Sequence, residues 1–166
     1  ELQVSSLLTC LSKCEQLSIL VLKDMPISTD ATGAALARCI HNLYKLENLQ
    51  VINCGLTPRG LLLLSCEIEQ MVQLQNLSLA RNVLRKHPSN KQVIDGLIRM
   101  ISTSKLMTHL DLSGMFLGDL FVKRIVMEAV ALSKSLAAFH FDGNKLSDEA
   151  RRTVYKIFRH PPRKDD

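Results

Sequence analysis

The 166-residue chain contains no tryptophan, and aromatic residues make up only 4% of it. It also lacks an uninterrupted apolar run of the roughly 18 residues that would cross a membrane. Its five cysteines include no Cys-x-x-Cys pair, and an odd number does not suit a disulfide framework. These absences predict a reduced, cytoplasmic (intracellular) protein with no membrane span, no metal site and no bound cofactor.

Acidic residues are outnumbered by basic ones, 16 against 21, which gives a formal net charge of +5. Part of this excess lies near the C-terminus, in Arg151, Arg152, Lys156, Arg159, Arg163 and Lys164. A basic helix can bind nucleic acid through phosphates. Aromatic side chains on which bases would stack are scarce, however, so a solvated charged surface is the favoured interpretation.

Leucine is the residue type that carries the main signal of the sequence. Five segments share one template of apolar positions, and they begin at Leu17, Leu46, Leu74, Met107 and Leu136. In each segment the fourth, sixth and eleventh residues are apolar. We call the ninth residue of each segment the special position. Because apolar residues alternate at the centre of the template, each segment predicts a short strand.

The stretches between these segments predict helices. Two further apolar columns lie four residues apart, as on one face of an α-helix. The columns are Leu7, Leu36, Leu64, Leu97 and Val126, then Leu11, Ile40, Ile68, Ile101 and Val130. A strand that recurs in one direction through a helix forms a parallel sheet. Since helices are wider than the strand spacing, the stack should curve into an α/β solenoid, with the sheet on the concave side and helices on the convex side.

The segments LQNLSLARNVL and LAAFHFDGNKL resemble leucine-rich repeats, and a period of 28–29 residues with a helix in each unit resembles the ribonuclease-inhibitor-like subfamily. This subfamily includes NOD-like receptors, CARMIL and tropomodulin actin regulators, and the Ran GTPase-activating protein. In such repeats, an Asn or Cys side chain at the special position ties down the turn after the strand. Asn82, Asn144 and Cys54 fit that pattern, whereas Met25 and Met115 do not. The resemblance therefore implies that the first and fourth units lack the polar tie.

The repeats predict a single domain over residues 1–160, with a partial repeat at 1–16 before the five full units and a tail at 161–166. Residues 6–14 match the helix of a unit whose strand is absent or reduced to ELQV. A solenoid normally ends in a polar cap, and this end of the sequence offers none. We therefore expect residues before Glu1 to continue the array.

Two local features modify the regular pattern. Ser147 and the two acidic residues after it predict the start of the last helix, with Ala150 and Val154 in its buried stripe. The third unit is longer than its neighbours because of RKHPSNKQ, residues 85–92, which is predicted to be a loop. This loop is either a tolerated insertion or part of a binding surface.

Residues of the strands that face the concavity are the candidate partner-binding residues. They are Gln50, Ile52, Ser78, Ala80, Arg81, Asp111, Ser113, His140 and Asp142. Ser78, Asp111 and His140 are the residue types of a hydrolase triad, but Ser78 and His140 would lie two strands apart, about 9.5 Å. A catalytic base must lie within about 3 Å of its nucleophile. Adjacent polar residues, or an Asp111–His140 ion pair, are therefore favoured over a triad.

The leading functional hypothesis is a non-catalytic protein–protein interaction module, the repeat region of a larger scaffold, receptor or cytoskeletal regulator. Arg81 is its predicted anchor, because a planar and permanently charged guanidinium forms bidentate hydrogen bonds. One alternative is a GTPase-activating or other regulatory enzyme, in which Arg81 would act as an arginine finger. Another is nucleic-acid binding through the basic C-terminal helix. The sequence contains no Gly-rich phosphate loop and indicates no small-molecule substrate.

Overall fold

Short strands and α-helices alternate along the chain in the computed structural model, which describes residues 2–84 and 90–159. The strands are β1 (Ile19–Lys23), β2 (Asn48–Ile52), β3 (Asn76–Ser78), β4 (His109–Asp111) and β5 (Ala138–His140). The helices are α1 (Leu2–Leu11), α2 (Asp30–His41), α3 (Pro58–Ile68), α4 (Asn90–Thr103), α5 (Asp119–Glu128) and α6 (Asp148–Arg159). A 3₁₀ turn, Val130–Leu132, follows α5.

The five strands form one parallel sheet in which their order is that of the sequence. The register places equivalent residues side by side, so Leu49 pairs with Leu77, Leu77 with Leu110, and Leu110 with Phe139. Each helix packs against the next one along the chain. The predicted α/β solenoid, with strands on one side and helices on the other, is confirmed. We call the strand side, away from the helices, the concave face.

The core lies between the sheet and the helices and is almost entirely aliphatic. The inward residues of the strands are buried, among them Leu49, Val51, Leu110 and Leu112, each fully excluded from solvent. Both predicted columns are buried in the first four full units, on α2 to α5 and, for Val130, on the 3₁₀ turn that follows α5. The periodicity therefore identified the core-facing side of these four helices correctly.

The first helix departs from this register. Leu7 is 43% exposed, while Val4 and Leu8 are buried. The predicted column was therefore wrong in this unit, because α1 packs against α2 and has no helix of the described chain on its other side. The interpretation of ELQV as a reduced strand was also wrong, since α1 begins at Leu2.

An asparagine side chain ties the turn of the second unit to the third. Asn82 is fully buried, and its Oδ1 accepts the backbone N–H groups of Cys54 (3.1 Å) and Leu56 (3.2 Å). Its Nδ2 donates to the carbonyls of Val51 at 2.6 Å and Leu79 at 3.0 Å. One side chain thus pairs buried backbone groups of two successive units.

The fourth and fifth units are joined in the same way. Asn144 Oδ1 accepts from the Leu117 N–H at 3.0 Å, and its Nδ2 donates to the Leu112 carbonyl at 2.9 Å. The tie therefore reaches back to the preceding unit. The expectation that the fourth unit lacks a tie because it carries Met115 was wrong, since Asn144 of the next unit supplies it.

Where the following unit has no asparagine, other groups form the connection. The Ile27 N–H of the first unit donates to the Cys54 carbonyl at 3.0 Å, and the buried Cys54 Sγ lies 3.5 Å from the Leu22 carbonyl oxygen and 3.3 Å from that of Ile52. In the third unit, the Leu84 N–H donates to the Met115 carbonyl at 2.9 Å. A backbone carbonyl thus replaces the asparagine oxygen at these two turns.

Close packing of α2 on α3 depends on glycine at position 33. A Cβ added to Gly33 would lie 2.8 Å from the Cα of Gly60. We expect Gly33→Ala to lower the free energy of unfolding by about 1–3 kcal/mol through overpacking. The roughly 1 kcal/mol by which alanine is favoured over glycine inside a helix offsets part of this loss, so the expected net loss is up to about 2 kcal/mol.

Urea denaturation of Gly33→Ala, with Gly118→Ala as the matched control, measures this effect. A Cβ on Gly118 would meet no atom within 4 Å, so this variant adds no overpacking and costs only the N-cap preference of α5 for glycine over alanine. If Gly33→Ala were more stable than the native chain by the full helix-propensity gain of about 1 kcal/mol, the close approach of the two helices would not constrain the packing.

Candidate functional site

Polar residues form a continuous row across the centre of the concave face. The register places Gln50 beside Ser78, Ser78 beside Asp111, and Asp111 beside His140. Together with their neighbours these residues line a shallow cleft of about 190 Å³. The strands thus bring four of the predicted site residues into one row.

Hydrogen bonds hold several side chains of this row in place. Ser78 Oγ donates to Asp111 Oδ2 at 3.1 Å, and Asp111 Oδ1 accepts the Ser113 N–H at 2.9 Å. Gln50 Nε2 donates to Asn48 Oδ1 at 3.2 Å. Because hydrogen bonds restrict these side chains before a partner arrives, less conformational entropy is lost on binding.

The geometry does not support a catalytic triad. The Ser78 hydroxyl donates to the Asp111 carboxylate, and the strand of Asp111 separates it from His140. Within residues 2–84 and 90–159, Asp111 and His140 form no ion pair, so the predicted pair is wrong and the alternative of adjacent polar residues stands.

The next row toward the carboxyl ends of the strands differs in exposure. Ile52 and Ser113 are partly exposed and Asp142 is exposed, but Ala80 is only 6% exposed. Ala80 was predicted as a contact residue. Ala80 and Ser78, at 6% and 9% exposure, offer a partner little surface, and their role as contact residues stays a prediction.

Arg81 begins the turn that follows β3, with an exposed side chain and a φ of +60°. The equivalent residue has positive φ in every unit, namely Asp24, Asn53, Gly114 and Gly143 in the others. Arginine rarely adopts this left-handed conformation, which costs on the order of 1 kcal/mol outside glycine. The Arg81 N–H donates to the Ser113 carbonyl at 2.8 Å, which helps to hold the turn.

Burial makes the interior cysteines poor nucleophiles. It raises the pKa of the Cys39 thiol to about 11, and it also raises the pKa of the Cys54 thiol. Since the thiolate is the reactive form, these two side chains remain protonated near neutral pH. Their structural role is packing.

Further sequence predictions concern metals, membranes and the two irregular segments. No group of His, Cys, Asp or Glu in the described ranges could hold a metal ion. No helix within them is long and apolar enough to span a bilayer. Of the predicted 85–92 loop, residues 90–92 begin α4 instead, because the helical face of that unit extends back to Asn90. Residues 85–89 and 160–166 lie outside the described residues, including Arg163 and Lys164 of the basic segment.

Sequence reasoning missed an apolar groove at the carboxyl ends of β3–β5. It has a volume of about 650 Å³, and we call it the rim groove. Its lining consists of Val83, Leu84, Asn90, Phe116, Leu117, Gly118, Asp119, Leu120, Phe121 and Lys145. Leu84 and Leu117 are the apolar eleventh residues of their repeats, but the other lining residues lie at positions for which the template specifies no residue type. The pair of bulky apolar residues at 116 and 120 was the available signal.

Comparison with solved structures gives related folds. The chain superposes on a Caenorhabditis elegans tropomodulin C-terminal domain with a TM-score of 0.65 and 18% identity, covering 95% of this chain and 92% of that one. Leiomodin-1 actin-binding site 2 matches with a TM-score of 0.66 and 9% identity, covering 93% and 86%. No protein-family model and no curated protein sequence matches the chain.

These likenesses establish the fold class: a curved, leucine-rich-repeat-like α/β solenoid. At 18% and 9% identity they establish the fold alone. The resemblance seen in the sequence is thus confirmed for the repeat architecture.

Proposed function

We propose that this chain is a non-catalytic protein-interaction module of an intracellular cytoskeletal regulator, and that it binds actin. The observation that supports this proposal is the polar row of the concave face. Its side chains are fixed by hydrogen bonds on a rigid parallel sheet. The choice of actin rests on the fold likeness to leiomodin-1 actin-binding site 2. The proposal includes membership of the ribonuclease-inhibitor-like subfamily.

The polar row suits recognition of a protein more than chemistry. Its amide, hydroxyl and carboxylate groups can donate and accept hydrogen bonds, as interface rims require. Ile52 adds a partly exposed apolar side chain on β2, and Arg81 adds an exposed charge in the next unit. A partner that covers both would combine apolar burial with charge-assisted hydrogen bonds.

Calorimetric titration with monomeric actin and co-sedimentation with filaments test the proposal directly. Saturable binding in either assay supports it. If neither form binds at concentrations of about 100 µM, a range that covers weak transient complexes, actin is the wrong partner.

Arg81→Ala is expected to weaken binding to actin by more than about 1 kcal/mol, because Arg81 is the candidate anchor of the interface. The loss should appear as a higher dissociation constant in calorimetry. Arg38→Ala is the matched control, since Arg38 is also exposed but lies on α2 of the convex side.

The double variant Arg151→Glu/Arg152→Glu tests the basic helix separately. We expect it to leave actin affinity unchanged. If only this variant weakened binding while Arg81→Ala did not, the concave-face assignment would be wrong. Salt-sensitive binding of the native chain to RNA or DNA, lost in the double variant, would favour nucleic acid.

A further inference from the structure

The rim groove exposes apolar surface at the edge where the strands end and the helices begin. Val83, Phe116 and Leu120 are 41%, 47% and 70% exposed, and all three line it. Its volume of about 650 Å³ lies within the range of ligand-binding clefts. The groove thus offers space together with apolar side chains that the core does not use.

Phe116 is held in a conformation that aromatic residues rarely adopt. Its φ is +60°, in the left-handed region, and the equivalent residue of the second unit is Gly55 with φ +70°. Glycine would therefore suit this turn without strain. A strained residue that also exposes its ring is typical of a functional surface rather than of a folding requirement.

The lining of the groove carries a cation, Lys145, and a carboxylate, Asp119. Both carboxylate oxygens of Asp119 are engaged by Ser147, whose N–H donates to Oδ1 at 2.9 Å and whose hydroxyl donates to Oδ2 at 2.6 Å. Lys145 forms no ion pair with the residues that the structure describes. Its ammonium lies 5.0 Å from the centre of the Phe116 ring. A partner carboxylate placed beside Lys145 could form the ion pair that Asp119, held by Ser147, does not form.

We propose that the rim groove is a second docking site, which binds a short segment of a partner protein carrying a bulky apolar side chain next to a carboxylate. The apolar side chain would lie against Phe116 and Leu120, and the carboxylate would pair with Lys145. A peptide fits this chemistry better than an anionic membrane, which is bound by clusters of about four to eight basic residues. Among the residues that the structure describes, Lys145 is the one lysine in the lining. The site is separate from the concave face and does not depend on actin as the partner there.

Fluorescence anisotropy with three labelled peptides tests the proposal on the full chain. The first peptide has a central Phe-Leu pair flanked by glutamates, the second has lysines in place of the glutamates, and the third has serines in place of Phe-Leu. We expect the first to bind at least about tenfold more tightly than the other two. Lys145→Met should remove the preference for glutamate over lysine, and added salt should reduce it.

Substitutions in the lining locate the site. Phe116→Gly should abolish binding of the acidic peptide while folding well, because glycine adopts the left-handed turn without strain. Leu120→Ser should weaken binding about tenfold. The control is Leu132→Ser, since Leu132 is 63% exposed but lies outside the groove. It should leave binding unchanged.

Several results would overturn the proposal. These are absence of binding by the acidic peptide, equal affinity for all three peptides, and native affinity in both Phe116→Gly and Leu120→Ser. Sedimentation that shows a dimer dissociated by Phe116→Gly would identify a second copy as the occupant. Binding to phosphatidylserine vesicles that is lost in Lys145→Met would point to a membrane instead.

Discussion

Asn82→Ala is expected to lower the free energy of unfolding by about 2–5 kcal/mol. The Asn82 side chain is fully buried and pairs two N–H groups and two carbonyls of neighbouring turns. An alanine leaves the N–H groups of Cys54 and Leu56 without this acceptor in the interior. Each buried donor left unpaired costs about 1–3 kcal/mol.

Urea denaturation followed by circular dichroism measures this loss. Asn42→Ala is the control, because Asn42 is exposed and its side chain makes one long hydrogen bond of 3.5 Å. We expect that variant to change stability by no more than about 0.5 kcal/mol. A loss below about 1 kcal/mol for Asn82→Ala would mean that water or a backbone shift replaces the tie.

Leu110→Ala is expected to cost about 2–5 kcal/mol, the range for removing a fully buried leucine. Leu110 is 0% exposed on β4, between Leu77 of β3 and Phe139 of β5. The repeat register fixes these neighbours on both sides of Leu110. The neighbouring side chains can therefore move little to fill the cavity that the alanine would leave.

The same denaturation assay applies to this variant, with His109→Ala as its control. His109 neighbours Leu110 on β4 but is exposed on the concave face. Its loss should change stability by no more than about 0.5 kcal/mol. A Leu110→Ala variant that lost less than about 1 kcal/mol would contradict the strand register.

The fold was predictable because its core is built from one pattern repeated along the chain. The alternation that buries Leu110 and Leu112 also buries Leu49 and Val51, so each unit supports the interpretation of the others. Parallel pairing follows from the single direction of the strands. Repetition thus compensates for the weak signal of any one short strand.

The exceptions arose where a residue has different neighbours from its equivalents. Leu7 occupies a core column by spacing, yet it is exposed because α1 packs against a helix on one side. The direction of the asparagine ties depends on contacts between units, which the template of one unit does not contain. Asn144 for this reason serves the turn that contains Met115.

The candidate site was predictable only in part. Strand alternation identified the concave row of Gln50, Ser78 and Asp111, but it could not show that Ala80 is buried or that Asp111 pairs with serine. The rim groove depends on the φ of Phe116, and a phenylalanine in the sequence gives no sign of a left-handed backbone.

The backward reach of the ties gives the solenoid a polarity. Asn82 and Asn144 each complete a turn that lies earlier in the chain, so the order of one unit depends on the presence of the next. A ribosome releases the N-terminal units first, and their turns remain incomplete until the following unit has emerged. During synthesis, each unit should therefore fold only after the following unit has emerged. If the array of repeats is interrupted, unfolding should begin at the C-terminal side of the interrupted array.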